Sequence, residues 1–216
     1  MKLRILSVNV GRPKIIALMN GEPVLSGIGK SPLGNERVFV SKLNIDGDGQ
    51  ADLTVHGGFD KAVYAYSADN WPWWEKECGF ACAPGTFGEN LTITGANEDD
   101  IAIGDRFTWG DAELEVAQPR APCFKFNLHT QRADAAQQMT ISGRCGFYLR
   151  VVKEGFVSVE GGMLERRFAG GGPSVRDAFF AVLNPRFPRD RLQHVAAAPG
   201  LSEAWRSALG RRLGQP

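Results

Sequence analysis

The chain has 216 residues with 25 basic and 24 acidic side chains, a formal net charge of +1. That length supports a full hydrophobic core without disulfide staples, and the near-cancelling charge excludes a global field for nucleic acid or an anionic membrane. No stretch approaches the roughly 18 apolar residues of a membrane span and MKLRILSVNV lacks a small-residue cleavage site, so the expectation is a soluble cytoplasmic protein without membrane partners.

In chain order, short β-branched and aromatic runs alternate with glycine, asparagine and aspartate. LRILSVNVG, PVLSGIG, ERVFVSKLNIDGDG, ENLTITG, DRFTWGDAELEVAQP and GFYLRVVKEGFVSVEGG read as strands broken by turns, the spacing of a barrel or sandwich. Gly110 and Asp111 form one hairpin candidate, and Gly155 between YLRVVKE and FVSVE a second. Helical windows interrupt at about 67–78, where tryptophans concentrate, and at 133–142. Strand character ends near Phe168. After GGGP at 170–173, Ser174 is a plausible N-cap for SVRDAFFAVLN, and PRDRLQHVAAA and SEAWRSALGRRL follow as two more short helices. The organisation expected is a β domain over 1–168 and a three-helix extension over 173–213, decoupled by the glycine run.

Without a secretory segment, the four cysteines Cys78, Cys82, Cys123 and Cys145 read as free thiols of a reducing compartment. Cys78 and Cys82 form a C-x3-C pair, yet no second close pair follows and the three histidines are scattered, which argues against structural zinc. The cysteine spacings match no iron–sulfur or haem motif.

Four loop windows carry chemistry. In QPRAPCFK, Cys123 follows a proline and stands between Arg120 and Lys125; cationic neighbours favour a thiolate, whereas a packed cysteine gains nothing from them. In GQADLTVHGGFDKAVYAY, His56 precedes Gly57 and Gly58 and is followed by Asp60 and Lys61. Adjacent glycines let backbone N–H groups approach an anion, although this window alone reads more simply as a tight turn with His56 capped by Asp60. GTFGENL presents Glu89 and Asn90 at the entry to a strand, and taken alone is loop architecture. GIGKSPLG places Lys30 and Ser31 on a third glycine loop that lacks phosphate-loop spacing. Converging at one mouth of a barrel, these loops would surround an anionic ligand.

The ordered set SVNVG, GIGKSP, IDGDGQADLTVHGGFDKAVYAY, FGENL, IGDRF, QPRAPCFK and SGRCGFYLRV resembles the MOSC-domain proteins, and within them the YiiM-like branch. The resemblance covers about residues 1–160 in order, and the helical tail is similar to that branch's extension. It implies a mainly β fold, a Greek-key-like barrel with a few helices and a small C-terminal three-helix unit. It also implies a molybdopterin-type molybdenum cofactor whose metal is ligated by Cys123. Cys145, before Gly-Phe-Tyr, departs from the family pattern and is expected to be packing.

The activity the resemblance implies is reduction of N-hydroxylated compounds, such as hydroxylaminopurine bases, to amines and water. No flavin or nicotinamide fingerprint is present, so the electrons would come from a partner flavoprotein or iron–sulfur protein. Lys30, Arg120 and Lys125, with Ser31 and Asn90, are the candidates to hold the cofactor's phosphate, and His56 or Asp60 the candidates for proton relay. The alternative is a non-catalytic carrier of the cofactor or of sulfur on Cys123. A nucleic-acid module is disfavoured because the tryptophans of WPWWEKE sit beside acids without a basic stripe.

Overall fold

A computed structural model of the chain describes residues 1–34, 37–51 and 57–214. Its centre is a closed barrel of seven strands: β1 (Lys2–Val10), β6 (Val63–Ser67), β7 (Leu91–Thr94), β8 (Arg106–Trp109), β9 (Ala112–Pro119), β10 (Phe147–Lys153) and β12 (Met163–Phe168). Around the barrel they run β12-β8-β9-β10-β6-β7-β1, and β1 closes back on β12 with Leu3 opposite Leu164. All neighbours are antiparallel except β6 and β7, which pair in parallel. The alternation of KLRILSVNV explains the inward side chains: Leu3 and Ile5 are buried, and a register shift between Ile5 and Ser7 turns Val8 inward as well.

The hairpin expected at Gly110 and Asp111 is present, with Trp109 opposite Ala112. The one expected at Gly155 is not. Strand β10 already pairs with β9 on one edge and β6 on the other, so β11 (Gly155–Ser158) has no free edge of β10 to return to. It pairs with β5 (Arg37–Val40) instead. Two short strands complete the inventory: β4 (Ser31–Pro32) on the edge of β1, and β2 (Lys14–Met19), which forms a separate hairpin with β3 (Glu22–Ser26).

The tryptophan-rich window folds as a 3-10 turn (Ala68–Asn70) and helix α1 (Trp71–Cys78). Trp74 is fully buried, among Phe80, Phe87 and Phe126, and its Nε1 donates to the Tyr66 hydroxyl at 2.5 Å. These aromatics build core. Helix α2 (Phe124–Thr130), which no periodicity announced, and α3 (Ala135–Ser142) follow β9.

The tail forms α4 (Val175–Leu183), α5 (Arg189–Ala196) and α6 (Glu203–Leu213). Ser174 and Ser202 cap α4 and α6, accepting from the N–H groups of Asp177 and Trp205. GGGP does not decouple this unit from the barrel. A Cβ on Gly170 would lie 2.4 Å from the Gly104 carbonyl carbon, so the glycines permit backbone-to-backbone seating. Hydrogen bonds from Ile103 N to Pro173 O and from Ser202 N to Ala117 O tie the helices down, and Phe179, Trp205 and Leu209 join the barrel's core. Among the described residues no helix is long and apolar enough to cross a membrane.

Candidate functional site

One cleft of about 690 Å³, counting its open mouth, gathers three of the glycine loops and the cysteine motif. Residues 26–30 and 48–51 form one wall, the turn at Phe87–Asn90 and the tyrosines Tyr64 and Tyr148 line it from β6, β7 and β10, and Arg120, Cys123 and Lys125 close it from the end of β9 and the start of α2. The two loops of the first wall approach closely at the backbone: a Cβ on Gly27 would fall 2.3 Å from the Gly49 carbonyl oxygen.

Cys123 is half-buried and free, in extended conformation immediately before α2, where its carbonyl accepts from Phe126 N at 3.0 Å. Arg120, only 6% exposed, lies beneath it in sequence and lines the same cleft. Its Nη1 reaches the Met139 sulfur at 3.0 Å, and its guanidinium lies 4.9 Å from the Phe126 ring and 5.5 Å from that of Tyr64. Among the described residues it has no carboxylate and no oxygen acceptor for that charge. Burial weighs against the guanidinium's charge while the fields of Tyr64, Tyr148 and Cys123 favour it, and the balance lies above the ordinary arginine value. A cation this buried and this poorly paired is an attractor for an anion entering the cleft.

Lys30 is differently placed. Its ammonium is bound to Asp48, with side-chain exposures of 8% and 1%, so the pair is buried. Burial pulls the Lys30 pKa down and Asp48 pulls it back, with the balance below the usual lysine value. Asp48 also accepts from Gly11 N and from Asn90 Nδ2, both at 2.9 Å. The remaining groups of Asn90 are committed too: Nδ2 also donates to Asn9 O, and Oδ1 accepts from Tyr64 N. Asn90 therefore lines the cleft but braces its wall, and the expected amide donation to a phosphate is taken by the protein itself.

Lys61 and Lys125 line the cleft; burial lowers the Lys61 pKa against the pull of Asp60, and Lys125 Nζ donates to Leu25 O at 3.0 Å. The other expected residues that the structure describes stand outside the lining. Ser31 is exposed on β4, opposite Val10. Gly57 and Gly58 precede the 3-10 turn 59–61, Gly58 with a φ of 98°. Asp60 is ion-paired at 2.8 Å with Arg150, which also binds Glu115, and the three form one salt-bridge group. Glu89 is fully buried, accepting from the N–H groups of Gly85 and Phe87 and the Thr92 hydroxyl; burial pushes its pKa up against those bonds. It folds the turn that carries Asn90. His56 lies outside the described residues. Cys145 is fully buried, its thiol on Gly146 O, and burial raises its pKa well above normal: it is packing.

Asp48, Tyr64 and Tyr148 are cleft residues that sequence reasoning passed over. DGDG reads as a turn and YAY as strand, and nothing local marks Asp48 as the partner of a lysine 18 positions earlier. The two tyrosine rings pack 5.1 Å apart.

The MOSC-domain model matches residues 52–162, and the model of the YiiM-like 3-alpha-helix domain matches 173–215. The chain belongs to the MOSC-domain family, in its YiiM-like branch. Protein YiiM of Escherichia coli is 34% identical over 95% of this chain and 91% of its own. The crystal structure of YiiM from Geobacillus stearothermophilus superposes with a TM-score of 0.81 at 32% identity, covering 98% of this chain and 99% of that one. A protein of Gibberella moniliformis named Reductase is 36% identical over 70% of this chain, a segment that makes up 27% of that larger protein. In this MOSC protein the matched barrel segment contains Arg120, Cys123 and Tyr148, and the matched tail is the docked helical unit.

Proposed function

We propose that this MOSC protein is a molybdenum-cofactor-dependent reductase of N-hydroxylated compounds, hydroxylaminopurine-type bases among them. The overall change is R–NHOH + 2 e⁻ + 2 H⁺ → R–NH2 + H2O. The observation that carries the reading is the juxtaposition, in one cleft, of a free half-exposed thiol at Cys123 and a buried Arg120 without an oxygen partner among the described residues. A soft sulfur donor and an uncompensated fixed cation are the donor set that a thiolate-ligated metal on an anionic pterin arm requires, so the residues fit the cofactor. Membership of a family that includes a protein named Reductase supports the same class of chemistry.

Cys123 would ligate the metal, and Arg120, with Lys61 and Lys125 at the rim, would hold the cofactor's anionic arm. When bound, molybdenum supplies the two-electron centre at which the N–O bond is reduced. The chain does the rest. The Lys30–Asp48–Asn90 brace holds the 26–30 and 48–51 loops to each other and to the Asn90 turn, which fixes the wall of the arm's seat. Tyr148, half-buried in the cleft lining, presents aromatic surface to a flat base. The electrons come from outside the chain. In the fungal relative the matching segment is joined to a further three-quarters of chain, whereas this protein matches YiiM over nearly its whole length.

The test is turnover of a hydroxylaminopurine with an artificial electron donor, using protein purified from a host that makes the cofactor. Cys123→Ser should lose turnover and bound molybdenum while melting within a few degrees of wild type, because no large core cavity opens. Cys78→Ser and Cys82→Ser should keep most activity. A Cys123→Ser protein with full metal and turnover would falsify the reading. Cofactor release to an acceptor apoenzyme without turnover would instead establish the carrier.

A further inference from the structure

The hairpin β2–β3 carries apolar residues on the wrong side for a core. Ala17 and Val24 face inward and are half-buried, whereas Ile15 (59% exposed), Leu18 (70%) and Leu25 (48%) project outward. The register puts Ile15 opposite Leu25 and Leu18 opposite Pro23, so these side chains form one continuous face of a two-stranded ribbon. Phe124, 51% exposed at the start of α2, stands beside it, where the next residue, Lys125, holds Leu25 O. Scattered exposed hydrophobics are ordinary, but a contiguous set on a protruding ribbon marks a contact surface.

Two further observations say what covers it. The ribbon runs directly into Ser26, Gly27 and Ile28, and Phe124 directly follows Cys123, so the face borders the mouth of the cleft. Its foot is basic: Arg12 and Lys14 are exposed and, like Lys125, have no carboxylate partner among the described residues. Glu22, near the tip, is the hairpin's lone acid. Two copies of the chain meeting through this face would set these cations against each other, which disfavours self-association.

We infer that the outer face of β2–β3, with Phe124, is the docking surface for a protein electron donor whose contact surface is acidic around an apolar centre. The inference rests on the reductase reading, which needs two electrons and two protons per turnover from outside the chain. A reduced flavin protein supplies both, FMNH2 → FMN + 2 e⁻ + 2 H⁺, and the N-hydroxylated substrate accepts them. Electron-transfer encounters use small interfaces, so a patch of four or five side chains is sufficient. A cationic rim speeds encounter with an acidic partner and makes it sensitive to salt.

The test uses the cofactor-loaded full chain with two donors: a photoreduced acidic flavodoxin, and dithionite with methyl viologen. Leu18→Asp, Ile15→Asp and Arg12→Glu change exposed side chains outside the cleft lining, so melting should hold. We expect each to raise the KM for flavodoxin about tenfold or more while turnover with methyl viologen is unchanged. The wild-type KM for flavodoxin should rise between 50 and 300 mM salt. Unchanged KM values in all three variants would overturn the inference. So would a wild type that turns over with methyl viologen but not with flavodoxin. If Leu18→Asp instead abolishes sedimentation with phosphatidylserine vesicles, or dissociates a dimer, at unchanged KM, the face belongs to a membrane or a second copy. Failure of the wild type with methyl viologen sinks the reductase reading and not the surface alone.

Discussion

Replacing Asp48 by alanine tests whether the cleft wall is held as described. The substitution removes a carboxylate that is 1% exposed and strands three donors facing it: the Lys30 ammonium, Gly11 N–H and one N–H of the Asn90 amide. Breaking a buried ion pair from one side costs about 3–5 kcal/mol, since the surviving charge keeps its desolvation penalty. For a chain of this size each kcal/mol moves the melting temperature by about 2–4 °C, so Asp48→Ala should melt roughly 6–20 °C below wild type. Lys30→Met in the same background removes the stranded ammonium. The double variant should therefore be no less stable than Asp48→Ala, with a coupling of about 0.5–3 kcal/mol between the two sites. Urea unfolding and thermal melting of wild type, both single variants and the double close the cycle. A shift under about 2 °C for Asp48→Ala, or single effects that simply add, would refute the buried pair as the brace.

Two further outcomes follow from burial. His129 has its pKa lowered from 6.5, chiefly by desolvation, with a backbone bond at Gly85 opposing and Lys14 and Arg120 contributing. The unfolded chain then binds the proton more readily than the folded one, so His129 costs stability as pH falls below 6.5 and costs nothing well above it. The melting-temperature advantage of wild type over His129→Gln should shrink on acidification from pH 7.5 toward 5.5; a constant or growing gap would reverse the sign. Iodoacetamide at pH 8 followed by peptide mass spectrometry should label Cys123 first. Burial raises the pKa of Cys78, lifts Cys82 to about 12 and pushes Cys145 well above normal, whereas Cys123 opens on the cleft. Labelling of Cys145 at a comparable rate would contradict its place in the core.

The sequence by itself determined what depends on neighbours a few residues away. Alternation in LRILSV placed Leu3 and Ile5 inside a strand, Gly110-Asp111 made a hairpin, Ser174 capped a helix, and the proline-framed Cys123 stood out among four thiols. These signals are local because turn dihedrals, caps and side-chain periodicity are satisfied within a few positions. What only the tertiary structure decided are partnerships across the chain. Strand β11 went to β5 because both edges of β10 were occupied, which no window around Gly155 could reveal. Helix α2 exists because Phe126 is buried against Phe87 and Trp74, although its own seven residues show no helical period. Asn90 reads as a free amide in GENL, yet its donors are used by Asn9 and Asp48; Lys30 reads as a free cation, yet it is neutralised by Asp48. Arg120 shows the opposite: in QPRAPC it is one more basic residue, and barrel closure makes it a buried charge without an oxygen partner among the described residues. Which charges are spent and which remain for a ligand is set by long-range closure, since burial and pairing belong to the packed site and not to the residue.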